Sequence, residues 1–198
     1  MSDIYHTILS PSEGAYTDKR SKFLSFAFPV VSVEEAKAYI SSLSKKYYDA
    51  RHVCWAYMIG ASREVYMSND NGEPSGTAGK PILGKINSFG LTDILIVVVR
   101  YFGGIKLGTS GLIIAYREAA KEAISSAEIV ERHVMDEICF RFPYMSMNDV
   151  MRLAKAEGVK IVSQEFDNSC SMCLKVRMDA SPELRQRLLD VDGLTMAE

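Results

Sequence analysis

Ile94-Leu95-Ile96-Val97-Val98-Val99-Arg100-Tyr101-Phe102-Gly103-Gly104-Ile105-Lys106-Leu107-Gly108-Thr109-Ser110-Gly111 decides the reading of the chain. Its first six residues are apolar without alternation. Such a run marks a strand buried on both faces, in the middle of a sheet. A helical pattern follows from about Leu112 to Ala127. A basic, aromatic, glycine-dense loop therefore sits where a central strand hands over to a helix. Ligands favour the carboxyl ends of strands in open α/β sheets, and free N–H groups at a helix start attract anions. This loop is the first candidate for a binding site.

Upstream, Ile4 to Leu9 reads as a strand and Pro11-Ser12-Glu13-Gly14 as a turn. Phe23 to Val31 reads as a strand with Leu24, Phe26, Phe28 and Val30 on one face. The cluster Lys19-Arg20-Ser21-Lys22 reads as the solvated edge of a hairpin. Ser32-Val33-Glu34-Glu35 has the pattern of a capping box, and a helix with Val33, Ala36, Ile40 and Leu43 in its stripe runs to about Tyr48. Arg51 to Ile59 is a strand with His52, Cys54, Ala56 and Met58 on one face, and Glu64 to Met67 returns as its hairpin partner. Residues 69–81, with three glycines and two prolines, form a long ordered loop. Pro81 suits the first position of a short helix to Phe89.

Downstream, a second domain starts near Glu131. Ile138, Phe140 and Phe142 alternate along a half-buried strand. Ser146 caps a helix that Gly158 stops. Val159 to Phe166 and Cys170 to Met178 are strands joined by a turn at Asp167-Asn168. Ser181-Pro182-Glu183 opens a last helix before an edge strand at 194–197. The order βαββαβ is the ferredoxin-like arrangement. The expected class is α+β, with domains at 1–130 and 131–198.

Composition bounds the function. The chain has 198 residues, 47% of them hydrophobic and 24% charged, as in an ordinary globular protein. A net charge of -2 gives no global nucleic-acid signature, so any anion site must be a local patch. No apolar run is long enough for a transmembrane helix, and the first residues lack the pattern of a secretory signal. Four cysteines are too few and too scattered for a disulfide framework. The expected location is the cytoplasm, with no membrane partner.

Several motifs fail on spacing. Gly79-Lys80 is followed by Pro81, and Pro74 occupies the first glycine position of a phosphate loop. No three glycines match the dinucleotide fingerprint. Gly108-Thr109-Ser110-Gly111-Leu112 lacks the closing glycine of a nucleophile elbow. A calcium loop starting at Met67 lacks its first Asp and has Ala78 in place of its last Glu. Cys170 and Cys173 have redox or zinc spacing, but on a strand they point to opposite faces and read as two small, partly buried residues. His52 and Cys54 share a face, which permits a catalytic pair without establishing one.

The loops at 69–81 and 100–111 make the better case. Arg51, Lys80, Arg100 and Lys106 supply positive charge, and Tyr101 and Phe102 offer faces for stacking on bases. The competing reading has one aromatic plugging the core and the glycines merely making turns. Asp70 and Glu73 can pair with Arg100 or Arg51, order the loop, or hold a metal. An enzyme reading would use His52, Asp70 and Glu73. Neither a metal nor a cofactor is expected.

Three pieces, Ala50-Arg51-His52-Val53-Cys54-Trp55-Ala56, residues 69–83 and Val99 to Gly108, resemble the Impact/YigZ family, also known as uncharacterised protein family 0029. The resemblance implies a ribosomal protein S5 domain 2-like N-terminal domain and a ferredoxin-like C-terminal one. These folds also stand side by side in elongation factor G, an analogy of fold that favours RNA or ribosome contact. Eukaryotic relatives act in translational control through a protein partner. Two positions depart from the family pattern: Ser110 where glycine is usual, and Ile114 where a basic residue is usual. Ser110 is then free to cap the helix. The expectation is a cytoplasmic, translation-associated protein binding RNA or the ribosome through Arg51, Lys80, Arg100, Tyr101 and Lys106. The alternatives are an enzyme acting on a small phosphorylated or peptide-like substrate, and a protein–protein adaptor.

Overall fold

The computed structural model describes residues 3–166 and 170–197. The fold is mixed α/β and divides into two compact units. One is Tyr5–Arg132; the other takes the described residues from His133 on, together with the chain start through Ile4. The expected turn at Asp167-Asn168 lies outside the described residues. Among the described residues, no helix is long and apolar enough to cross a membrane.

The first unit contains β1 (Ile4–Ile8), β2 (Ser12–Asp18), β3 (Ser21–Pro29), α1 (Val33–Lys46), β4 (His52–Ile59), β5 (Val65–Asn69), α2 (Gly79–Ser88), β6 (Ile94–Tyr101), α3 (Gly108–Ser125) and β7 (Ile129–His133), whose last residue falls in the second unit. β1 pairs with β7. The remaining strands form one sheet in the order β2-β3-β6-β4-β5. Every pairing in it is antiparallel. β6 is central, and Ile94 to Val99 are all fully buried. They do not alternate because both faces are covered. Ile94, Ile96 and Val98 pack with Ile82 and Ile86 of α2 and the alanine-rich face of α3. Leu95, Val97 and Val99 pack with Ala36 and Leu43 of α1.

β4 splits along its alternation. Cys54, Ala56 and Met58 join the α2/α3 layer, whereas Val53, Tyr57 and Ile59 join the α1 layer. Half of the capping box at α1 is made: Ser32 Oγ accepts from the Glu35 N–H at 3.2 Å, whereas the Glu35 side chain reaches one residue further back and accepts from the Val31 N–H at 2.9 Å.

Several expectations need correction. The sheet is antiparallel, so the site does not lie at a shared carboxyl edge of parallel strands. It forms because β4 begins where β6 ends, with His52 paired to Arg100. β2 is a strand that its mixed composition hid, and Lys19 and Arg20 form the two-residue turn into β3 with positive φ. α3 starts at Gly108 rather than Leu112. Leu107 is its N-cap residue, and no side chain caps it, so Ser110 is an exposed residue of the first turn.

The second unit contains β8 (Met135–Phe142), α4 (Met147–Ala154), β9 (Lys160–Phe166), β10 (Cys170–Arg177), α5 (Ser181–Leu189) and β11 (Thr195–Met196), with a 3-10 turn before α4. Its sheet order is β11-β8-β10-β9. Ile138, Phe140, Phe142, Met172 and Leu174 pack beneath the helices. Ser146 does not cap α4; its hydroxyl donates to the Asp192 carbonyl at 2.7 Å. Cys170 is buried and free, and Cys173 forms a disulfide with Cys139, its neighbour across β8 and β10. The two cysteines three apart do diverge, but a disulfide forms that the linear spacing did not suggest.

Gly103 marks where the chain leaving β6 crosses the β2–β3 turn. A Cβ there would fall on the backbone of Arg20 and Ser21, whereas one at Gly104 would meet nothing within 4 Å. Gly103→Ala is expected to cost at least about 2 kcal/mol through overpacking. Gly104→Ala, with φ of +87°, is expected to cost about 1 kcal/mol through the left-handed backbone alone. Urea unfolding of the two variants checks the difference.

Candidate functional site

Residues 70–78 connect β5 to α2 as an ordered loop held by its own polar groups. Asp70 Oδ1 accepts from the N–H groups of Ala78 at 3.0 Å and Gly79 at 2.8 Å, and Oδ2 accepts from Gly76 at 2.8 Å. Burial works to raise the Asp70 pKa; the N–H groups of Gly76, Gly79 and Ala78 outweigh it and hold the carboxyl below its usual range. Gly79 is required here, since a Cβ would lie 2.7 Å from the Asn69 nitrogen. Asn71 ties the loop to β4: its side-chain oxygen accepts from the Val53 N–H at 2.7 Å.

Glu73 is 8% exposed and Arg100 5% exposed. Arg100 Nη1 donates to Glu73 Oε1 at 2.6 Å, and the Tyr116 hydroxyl donates to the same oxygen at 2.8 Å. The Arg100 guanidinium lies between the rings of Phe23 and Phe102, 5.5 and 5.7 Å from their centroids. The alternatives for the two acids thus resolve: Asp70 orders the loop, and Glu73 pairs with Arg100. Asp70 has both oxygens occupied by N–H groups, and Glu73 Oε1 by Arg100 and Tyr116.

A cleft of about 430 Å³ opens above this pair. Glu73 and Pro74 line it from one glycine loop, and Arg100, Phe102, Lys106 and the start of α3 line it from the other. Arg51 and His52 complete it from β4 and the residue before it. The two loops are therefore neighbours. His52 Nδ1 donates to the Asn71 carbonyl at 2.7 Å, which leaves Nε2 3.7 Å from Glu73 Oε2. Of the three residues the enzyme reading would use, His52 and Glu73 line the cleft, with the carboxylate beyond hydrogen-bond distance of Nε2.

Cys54 is no nucleophile. Its thiol lies 3.0 Å from the Asp70 carbonyl and 3.3 Å from the Tyr116 hydroxyl, and burial pushes its pKa up to about 12. Burial, then the neighbouring Cys54 and Glu73, raise the Tyr116 pKa too and keep the phenol protonated.

The five expected binding residues occupy three places. Arg51, Arg100 and Lys106 line the cleft. Lys80 lines a separate groove. Tyr101 packs on the α1 side of the sheet and donates its hydroxyl to Asp49 at 2.9 Å. The aromatic in the cleft is Phe102, 48% exposed. Sequence reasoning missed the part of Tyr116, whose place on a buried helical stripe gives no sign of the carboxylate it meets.

A family model for the Impact N-terminal domain matches residues 19–124. The chain belongs to the IMPACT family. Its relatives include YvyE of Bacillus subtilis, 40% identical over 66% of this chain and 60% of that protein. YigZ of Escherichia coli is 35% identical over 75% of this chain and 74% of its own length. Protein IMPACT of Oryctolagus cuniculus is 33% identical over 46% of this chain, which spans only 30% of that relative. A crystal structure described only as that of a hypothetical protein superposes with a TM-score of 0.81 at 28% identity, covering 99% of this chain and 97% of the other.

Two outcomes test the site's construction. Arg100→Ala leaves Glu73 buried without its cation and is expected to cost about 3–5 kcal/mol, read by urea unfolding. Adding Glu73→Gln should recover part of that loss. The lowered Asp70 pKa stabilises the loop fully above the ordinary value of 3.8, and this stabilisation is lost as pH falls below it. Hydrogen exchange of the Gly76, Ala78 and Gly79 amides should rise in that acid window, and Asp70→Asn should remove the dependence.

Proposed function

We propose that this IMPACT-family protein is a cytoplasmic, translation-associated binding module whose cleft takes a phosphorylated nucleotide of RNA. One observation carries the reading: Arg51 and Lys106 have no carboxylate within ion-pair distance among the described residues, and they flank the uncapped start of α3. Backbone N–H groups at a helix start favour phosphate, and free cations add to that field. Phe102 supplies an exposed ring for a base. Arg100 contributes differently from the other cations, because Glu73 neutralises it. The family resemblance, which implies an S5 domain 2-like unit and a ferredoxin-like unit in one chain, supports ribosome contact by analogy of fold alone.

The geometry of His52 favours a second reading, general acid–base chemistry in the same cleft on a phosphorylated or peptide-like substrate. Turnover lost in His52→Ala with RNA affinity retained selects it.

Labelled single-stranded RNA should bind with an affinity that falls as salt rises, by a slope of about −0.7 per phosphate contacted. Arg51→Ala with Lys106→Ala should weaken all sequences alike and flatten that slope. Phe102→Ala should cost about 1–3 kcal/mol of binding. RNA affinity unchanged in the Arg51/Lys106 variant would show the cleft reading to be wrong.

A further inference from the structure

A second concavity, about 480 Å³, lies between α2 and α3. Its cations are Lys80 and Lys85 of α2 and Arg117 of α3. Among the described residues none of the three has a carboxylate within 4.0 Å, although acids outnumber bases in the chain by 25 to 23. Asp70 acts on Lys80 only from beyond ion-pair distance, and charges of one sign gathered without ion-pair partners make a local field for a polyanion.

The groove and the cleft draw on the same loop and the same helix, with no lining residue in common. Pro74 lines the cleft, and Gly76 and Lys80, a few residues on, line the groove. Thr109 and Leu112 of α3 face the cleft; Ile113 and Arg117 of the same helix face the groove. Arg117 stands nine residues after Gly108, about 14 Å along the helix axis. The groove floor is lean: Gly84 is half-way along α2, and a Cβ there would meet nothing within 4 Å. Among the described residues no aromatic side chain lines it. It can therefore hold a sugar–phosphate backbone but has no ring on which to stack a base.

We infer that the α2–α3 groove continues the RNA path out of the cleft, with Lys80, Lys85 and Arg117 contacting phosphates without reading sequence. This rests on the RNA reading of the cleft and names its ligand as a single strand longer than the cleft itself.

Fluorescence anisotropy with labelled oligouridines of about 4 and about 16 nucleotides tests it, these lengths spanning the site sizes of single-strand-binding folds. Lys85→Ala with Arg117→Ala should weaken the longer RNA about tenfold and lower its salt slope by about 1.4, for two phosphates lost, while leaving the shorter RNA unaffected. Gly84→Glu puts a negative charge in the groove without removing a cation or crowding a neighbour. It should weaken the longer RNA in the same way, and Gly84→Ala should not. Arg51→Ala with Lys106→Ala should weaken both lengths. If the groove variants change neither length, or both equally, the path is overturned and the cleft reading stands. If the unaltered protein binds neither length, the cleft reading falls and the path with it. Binding of an oligoglutamate with the same dependence on Lys85 and Arg117 also overturns the path, assigning the groove to an acidic protein segment.

Discussion

Glu73 and Arg100 meet in the interior at 2.6 Å, one from the glycine-rich loop before α2 and the other from the end of the central strand. Two charges taken out of water are costly unless their remaining bonding capacity is met. Here the Tyr116 hydroxyl shares the carboxylate oxygen and the Phe23 and Phe102 rings lie 5.5 and 5.7 Å from the guanidinium carbon, while the buried Arg100 Nε has no hydrogen-bond partner among the described residues. The pair therefore joins three elements that the chain separates widely: the loop at 73, β6 at 100 and α3 at 116. It acts together with Asn71, which ties the loop to β4, and with Ala78, which seats the loop's end in the core. The floor of the cleft is thus an ion pair held from three sides.

The sheet makes that pairing possible. β6 lies between β3 and β4, so its end is flanked by the β2–β3 turn on one side and the start of β4 on the other. Gly103 lets the chain cross the first, where the Gly103 N–H donates to Ser21 Oγ at 3.2 Å. His52 stands opposite Arg100 on the second. α3 then returns across the sheet, and its alanines at 115, 119, 120 and 123 are fully buried against it. Packing supplies the rigidity, and polar groups at one end of the sheet supply the chemistry.

What could be read beforehand follows from periodicity. The run from Ile94 to Val99 placed the central strand, and the alternation from His52 to Met58 assigned the faces of β4, because burial repeats with the geometry of the element. Local capping at Ser32 was legible for the same reason. β2 was not, because Ser12 to Asp18 lies at a sheet edge and is nowhere fully buried. The first turn of α3 was hidden by Gly108 and Gly111, poor helix formers that tertiary packing accommodates. Pairings between distant residues are not decided by spacing: Cys139 with Cys173 depends on register, Lys80 and Arg117 meet in one groove through helix packing, and Glu73 with Arg100 was only one of several pairings the sequence left open. The two glycine loops could be proposed as neighbours from sequence, but which of their cations would be neutralised could not.

That last distinction governs the electrostatics of the site. Arg100 is the cation nearest the floor, yet with Glu73 it forms a neutral pair and adds little field beyond a short range. Arg51 and Lys106 line the cleft, and Lys80, Lys85 and Arg117 line the groove between α2 and α3, none of them in an ion pair among the described residues. A chain of net charge -2 therefore gathers cations from several elements around the start of α3 and the groove beside it, where low-dielectric walls concentrate their field. Burying one arginine as a structural clamp and leaving the other cations without ion-pair partners separates two tasks that the basic residues of the sequence do not distinguish: fixing a loop, and presenting charge to solvent.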